Sequence, residues 1–321
     1  MNSKITPMVE GGLLTAIAVI LGLASIYLPV LGLFVEFFCA VPIVVLTVRQ
    51  GVKKGFMALA ASFLILTMFV GPLLSMRIAL SFGICGLVLG YCIEKNFSAV
   101  KCFVATLITA FFAQIIAVAI LTFVMGINLM STELSSVKEA FDDTFRMYET
   151  IGVDKKSIDE IRAQLEVTLK LMSYLLPFML ALMGLVNAVT CYITSKWIFS
   201  KLRMKFVEPL PPFAEWRFPK VFLYLVAFSA IGVYWGSTRE WILLYSISVN
   251  VVFISTGIGF IQGLAVLSAL ADKFNVGKFW RRLFVFFAIL NMTFITVITF
   301  TGLFDMMLDY RKRFRDTDNE Q

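Results

Sequence analysis

Glu36 is the one acidic residue inside any long apolar run of this chain, and Arg77 is a base inside another. Each follows a turn signal by a few residues: Pro29 and Gly32 flank the turn before Glu36, and Gly71-Pro72 precedes Arg77. If the runs are membrane helices, the helical rise puts both charges roughly 6–9 Å below the same surface. Charge at that depth is costly unless it is paired or faces a polar cavity. Two outcomes are open. The pair closes on itself and offsets the burial of both groups, or it receives a zwitterionic or polar ligand between the charges. Arg77 could also reach up to the lipid headgroups along its aliphatic stem.

Other polar groups sit in the apolar runs without charge. Gln114, Asn187, Asn250, Gln262 and Asn291 must each find a hydrogen-bond partner in hydrocarbon. Gln114 and Asn187 join Glu36 and Arg77 as candidate ligand-binding residues; the alternative for each is a bond between helices. Asp305 and Asp309 lie four residues apart beside Arg311 and Arg313, on one helix face. Two carboxylates could hold a divalent ion against a phosphate, but no third acid is close in sequence, and the plainer reading is an interfacial helix end.

Histidine is absent, which removes the commonest metal ligand and general base. There is no G-x-x-x-x-G-K-[ST] loop and no H-E-x-x-H. The expectation is a protein that is not an enzyme, with no catalytic residue, metal or cofactor. The five cysteines form no C-x-x-C pair and fall in or beside apolar runs, so they read as reduced packing residues.

The elements that must position these residues are membrane helices. The chain is 60% hydrophobic and only 15% charged over 321 residues, and its charges cluster between runs of spanning length. Nine runs cover about 11–27, 31–48, 55–70, 76–93, 99–127, 167–199, 221–235, 241–271 and 283–303. The fold class is therefore all-α, a polytopic bundle of about 8–9 spans. Basic residues such as Arg49, Lys53, Lys95, Lys201 and Lys278 fall in alternate connections. By the positive-inside bias this places the N-terminus in the cytoplasm. The net charge of +7 follows from these connections and carries no nucleic-acid signal. No cleavable signal peptide is evident. One conflict arises: nine crossings put the basic tail outside. Either one run is re-entrant or the tail breaks the bias, and the glycine-containing eighth run is the suspect.

Four regions result: a five-helix membrane part (1–130), an acidic insertion (131–166), a four-helix membrane part (167–304) and a charged tail (305–321). In the insertion Phe141, Phe145 and Tyr148 form one helical stripe, Gly152 breaks it, and Ser157-x-x-Glu160 opens a second helix. This predicts an external amphipathic hairpin whose second helix continues straight into the sixth run. The stretch 201–220 holds Pro209, Pro211, Pro212 and Pro219 around Trp216-Arg217, and so cannot be a plain helix. It is a shaped loop, either a docking surface or a stiff linker. On the first run Gly11, Thr15, Ala18 and Gly22 make a face of small residues, suited either to a partner helix or to internal packing.

The opening "GGLLTAIAVILGLASIYLP" and the run "GPLLSMRIALSFGICGLVLGY" resemble the S components of energy-coupling-factor vitamin transporters. The whole chain more closely resembles the YybS-type family of uncharacterised bacterial membrane proteins, through "PPFAEWRFPKVFLYL", "VGKFWRRLFVF" and "TGLFDMMLDYRKRFR". The S-component likeness implies a solute pocket near Glu36 and Arg77 and a partner face along Gly11, Thr15, Ala18 and Gly22. Together these readings lead to a multi-pass protein of the bacterial cell membrane that binds a small polar or vitamin-like solute at an outward-facing site. The alternative is a non-transporting scaffold or regulator that holds partners through its proline-rich loop. Expected partners are membrane lipids, a small polar solute and a membrane or cytoplasmic subunit.

Overall fold

The computed structural model describes residues 5–126, 129–208 and 210–311, and the regular structure among them is helical throughout. Hydrocarbon leaves little choice, because a backbone without water must bond to itself. Among the described residues seven stretches are long and apolar enough to cross a membrane, and up to eight if the bent pair Lys278–Ala288 and Met292–Leu308 counts as one span. Much of the helix surface that faces outward is apolar, as at Leu13, Ile20, Met68 and Phe123. That is the surface expected where lipid is the solvent. All five cysteines are buried and free.

The chain divides into two compact units, Met1–Leu165 with Met179–Pro209, and Glu166–Phe178 with Leu210–Gln321. The first contains α1 (Ile5–Tyr27), α2 (Leu31–Glu36), α3 (Val41–Gln50), α4 (Val52–Ile78), a π-helical segment (Ala79–Ile84), α5 (Cys85–Glu94), α6 (Ala99–Met125), α7 (Leu129–Thr150) and most of α9 (Leu176–Lys201). One apolar cluster, Ala18, Ile43, Leu46, Ala58 and Leu59, joins α1, α3 and α4.

Residues 52–94 form one helical stretch by hydrogen bonding, yet the two limbs are separate runs, as the Gly71-Pro72 signal implied. Gly71 has φ 80 and ψ 165, a conformation closed to ordinary side chains. The limbs fold back on each other there. Gly83 lies against Leu59, Gly55 lies against Leu87, and the Thr67 and Ser75 hydroxyls bond at 2.8 Å. Each pair straddles Gly71 symmetrically, which is the mark of an antiparallel hairpin.

The acidic insertion is two helices, α7 and α8 (Lys155–Tyr174), with Gly152 at φ 84 between them. Phe145 and Ile158 are buried, and the Arg162 guanidinium lies 5.3 Å from the Phe145 ring. The second helix does not run straight into the next one. It ends at Tyr174, and α9 starts at Leu176, just before Pro177.

The second unit is built on α10 (Val221–Thr238), α11 (Ile242–Lys273), α12 (Lys278–Leu290) and α13 (Met292–Leu308). α10 and α11 pack antiparallel, with Gly232 against Ser248 and Gly236 against Tyr245. α11 and α13 cross at glycines: a Cβ on Gly302 would lie 1.9 Å from the Gly259 carbonyl oxygen, so no other residue fits. α11 is unbroken despite Gly257, Gly259 and Gly263. The interruption falls instead in the ninth run, at Asn291, where α12 and α13 meet at a bend of 108°.

That bend bears on the topological conflict. The start of α10 and the end of α11 share one end of this unit, because the two helices are antiparallel. The end of α13 lies there too: Arg217, just before α10, holds Asp309 at 2.8 Å, and Arg311 donates to the Ala214 carbonyl at 2.7 Å. α12 leaves that end and α13 returns to it, so Arg311 and the basic loop need no opposite sides; Arg313 and the rest of the tail from 312 lie outside the described residues. Single cysteines in place of Phe213 and Tyr310, in a background without the five native cysteines, will react with an impermeant thiol reagent from the same membrane face. Labelling from opposite faces contradicts the returning pair.

Candidate functional site

α1 ends at Tyr27, whose hydroxyl donates to the Phe69 carbonyl at 3.2 Å, so the turn after α1 and the Gly71 turn sit together. The chain reverses through Val30, at φ 60, into the six-residue α2. Glu36 is the last residue of α2. Phe37 to Ala40 form turns rather than α-helix, and α3 resumes at Val41 with Pro42 in its first turn. The span that carries Glu36, Leu31–Gln50, therefore tightens its pitch immediately after it: Phe37 and Ala40 keep helical angles, while the Phe38 and Cys39 amides bond three residues back, to Val35 and Glu36.

Arg77 lies on the other irregular segment. It follows the Gly71 reversal and immediately precedes the π-helical turn at Ala79–Ile84. Single π-turns inside helices are uncommon and gather at functional sites. The Arg77 Nη2 and Glu36 Oε1 are 2.9 Å apart. The expected pair thus forms, and it is unevenly buried: the Glu36 side chain is 14% exposed and that of Arg77 51%. Among the described residues neither side chain has another ion-pair or hydrogen-bond partner. A guanidinium has five donors, and half of this one is open, so the arrangement is a carboxylate covered by a cation with donors to spare.

The second candidate, Gln114, is 7% exposed on α6 and donates to the Ser81 hydroxyl at 3.3 Å. Ser81 lies in the π-turn, four residues after Arg77 and on roughly the same face. Gln114 is joined to the charged segment through Ser81 and does not touch the pair itself. Asn187 lies half-buried on α9, and the structure shows no hydrogen bond of its side chain to Glu36, Arg77 or Gln114. α9 contributes a different residue: Thr194 Oγ1 donates to the Phe37 carbonyl at 3.1 Å, which supports the change of pitch next to Glu36. Nothing in the spacing of Thr194 marks it, since its partner lies 157 positions away. Ser81 is visible only as a hydroxyl in an apolar run.

The small-residue face of α1 packs inside the unit. Ala18 is buried against α3 and α4, Gly22 lies against Leu66, and Gly11 approaches Leu46 and Gln50. Thr15 bonds back to the Gly11 carbonyl. At the opposite end of α3, Arg49 pairs with Glu10, and a cavity of about 450 Å³ opens among Glu94, Asn96, Ser98, Lys205 and Glu208.

A second charge centre lies in the other unit. Asp305 and Arg311 are both buried, and Asp305 Oδ2 receives Gln262 Nε2 at 2.6 Å and Arg311 Nη2 at 2.9 Å. Gln262 Oε1 in turn accepts the Phe218 amide at 3.1 Å. Asp309 goes to Arg217 instead, so the two tail carboxylates face different arginines. The described residues contain no cluster of three acids, cysteines or histidines. The network fastens the proline-rich loop: Arg311 holds Ala214, Gln262 holds Phe218, and Trp216 Nε1 donates to the Pro211 carbonyl at 3.0 Å.

Comparison with known proteins places this architecture among others. The family described as "Predicted membrane protein (DUF2232)" matches residues 16–306. The "Uncharacterized protein YybS" of Bacillus subtilis (strain 168) is 24% identical over 318 residues, covering 96% of this chain and 98% of that protein. No solved structure matches the chain.

The uneven burial of the pair makes its two halves unequal in stability. Arg77→Leu strands a mostly buried carboxylate and should cost about 2–3 kcal/mol, below the range for fully buried pairs. Glu36→Leu leaves a half-exposed cation that headgroups and water can solvate, and should cost about 1 kcal/mol or less. Unfolding of the two variants in detergent micelles measures the difference; equal losses contradict the asymmetry.

Proposed function

The chain belongs to the DUF2232 family of predicted membrane proteins, and from that footing we propose that it binds a small polar solute at the Glu36–Arg77 pair, as part of a transport process. The observation that carries the reading is the coincidence of opposite charges with irregular helix. The span carrying Glu36 tightens its pitch just after it, and the chain carrying Arg77 reverses at Gly71 and turns π-helical at Ala79. Irregular backbone at membrane depth is tolerated where it is packed in protein or lines a polar site, and discontinuous helices are how many transporters build their binding sites. Arg77 carries the recognition step. Its open donors take an anionic or carbonyl group of the solute, and Glu36 holds the guanidinium in place or accepts a donor from the solute. Gln114 acts through Ser81 and positions the π-turn. The pair faces outward in a membrane whose cytoplasmic side carries the N-terminus and the basic connections. The sequence has no phosphate-binding loop, so any energy for movement comes from a partner subunit or an ion gradient.

A second reading is a scaffold that holds partners through the proline-rich loop. It is favoured by the loop's fixed shape, since residues 211–218 are tied down by Arg311, Gln262 and an internal tryptophan bond. A preordered loop loses little entropy on binding.

Native mass spectrometry of the full chain, purified in mild detergent from its own membrane, separates the two. Solute binding predicts a small molecule on the wild type that is lost in Arg77→Met and reduced about tenfold or more in Arg77→Lys, which keeps the charge but loses the fork. A wild type carrying no small molecule, or one retained equally by Arg77→Met, overturns the solute reading. A stoichiometric protein partner released by Trp216→Ala alone supports the scaffold.

A further inference from the structure

The second unit has a groove of about 620 Å³ at the end away from the proline-rich loop. One wall is the last turns of α8, with Lys170, Leu171 and Tyr174; the other is the α10–α11 turn and the start of α11, with Ser237, Glu240 and Tyr245. Lys170 and Glu240 are both exposed, and among the described residues neither is in an ion pair. Opposite charges that line one groove without closing on each other leave room for a group between them.

The walls are fixed rather than incidental. Asn250, 6% exposed, donates to the Tyr174 carbonyl at 2.6 Å and accepts the Phe178 amide at 2.8 Å. It thereby clamps the break at the end of α8 onto α11. The Tyr174 and Tyr245 rings meet edge to face, with centroids 5.4 Å apart. Glu240 has φ 55 just past the C-terminal cap of α10, in the common left-handed helix ending, where the Trp241 amide bonds back to the Gly236 carbonyl at 2.9 Å. Its position is thus set by the turn and not by free rotation of the backbone.

We propose that this groove binds a zwitterion in which a primary ammonium and a phosphate are joined by a short linker, as in a phosphoethanolamine group. The ammonium meets Glu240 and the tyrosine faces, which attract cations. The phosphate meets Lys170, a point charge suited to it. The exposed apolar residues Val167 and Ile242 continue from the same walls and would accept the start of an acyl chain. Exposed Trp235 and Trp241 flank the turn, as rings do at a lipid–water interface. The ligand chemistry is shared by a phosphatidylethanolamine headgroup and by free phosphoethanolamine.

The test uses the full chain in nanodiscs of equal phosphatidylethanolamine, phosphatidylcholine and phosphatidylglycerol, released into mild detergent, with retained lipids counted by native mass spectrometry. Phosphatidylcholine keeps the phosphate but its ammonium cannot donate a hydrogen bond; phosphatidylglycerol has no ammonium. Retention of phosphatidylethanolamine over both by about tenfold or more, the scale of one charge-assisted hydrogen bond, is expected. Glu240→Gln and Lys170→Gln should each return the ratio to that of the bilayer. In parallel, phosphoethanolamine is titrated onto delipidated protein and followed by intrinsic fluorescence. Selective retention of the lipid identifies a headgroup site; a saturable response to phosphoethanolamine that Glu240→Gln abolishes, without lipid selectivity, identifies a site for the free zwitterion. No selectivity and no response in the wild type overturns the proposal, as does behaviour of both variants identical to wild type. Both replaced side chains are exposed, and unchanged melting temperatures of the variants keep misfolding out of the comparison.

Discussion

Hydrocarbon has no water with which to solvate a backbone amide or a charge, and leaving either without a partner there costs several kcal/mol. That constraint accounts for where this protein can interrupt its helices. Several interruptions have a polar side chain beside them. The Phe37 carbonyl after α2 is taken by Thr194, and the carboxylate at the same place by Arg77. The Gly71 carbonyl accepts from Ser75 at 2.9 Å. The π-turn meets Gln114 through Ser81, the break before α9 meets Asn250, and the start of α10 meets Gln262. At the bend between α12 and α13 the Asn291 side chain accepts the Thr293 amide at 2.9 Å.

Several uncharged polar residues of the apolar runs thus share a physical role. The side chains of Gln114, Asn250 and Gln262 each reach across to a place where another segment stops, starts or changes pitch, and Asn291 caps the start of its own helix. Asn187 makes no such bond, and the buried Ser62, Ser195 and Ser255 hydroxyls also have no hydrogen-bond partner among the described residues. Once a break is partnered in this way it is rigid, and rigidity is what a binding site needs, because a preformed site loses little entropy when its ligand arrives. The same logic applies to the groove beside Asn250 and to the loop held by Gln262 and Arg311. The close crossings at Gly302 and at the Gly55–Leu87 contact serve the same end by another route, since van der Waals contact drives helix association where the hydrophobic effect is weak.

Much of the site was legible before the fold. Depth counting from two turn signals put Glu36 beside Arg77, because helical rise is fixed and turns mark the surface. The stripe at Phe141 and Phe145, the break at Gly152 and the reversal at Gly71 also followed from local rules. Less legible was the change of pitch after Glu36: Phe37-Phe38-Cys39-Ala40 is as apolar as any helix interior, and the Thr194 contact with the Phe37 carbonyl joins segments far apart in sequence. The interruption near the end of the chain was sought in the wrong run for a similar reason. The glycines of the eighth run suggested a weak helix, but they serve a close crossing with α13, while the actual bend falls at Asn291, a residue with no breaker's signature beyond its capping side chain.

Composition and spacing alone determined that this is an all-helical membrane protein and which charges fall inside its apolar runs. These follow from the chain's own geometry and the cost of burying charge. Tertiary structure alone decided which polar group meets which break, that Asp305 and Asp309 go to different arginines, and that the small-residue face of α1 is filled by α3 and α4. Those outcomes depend on contacts between segments far apart in sequence, such as Thr194 with Phe37 and Arg311 with Ala214. The periodicity of a single helix holds no information about its neighbour.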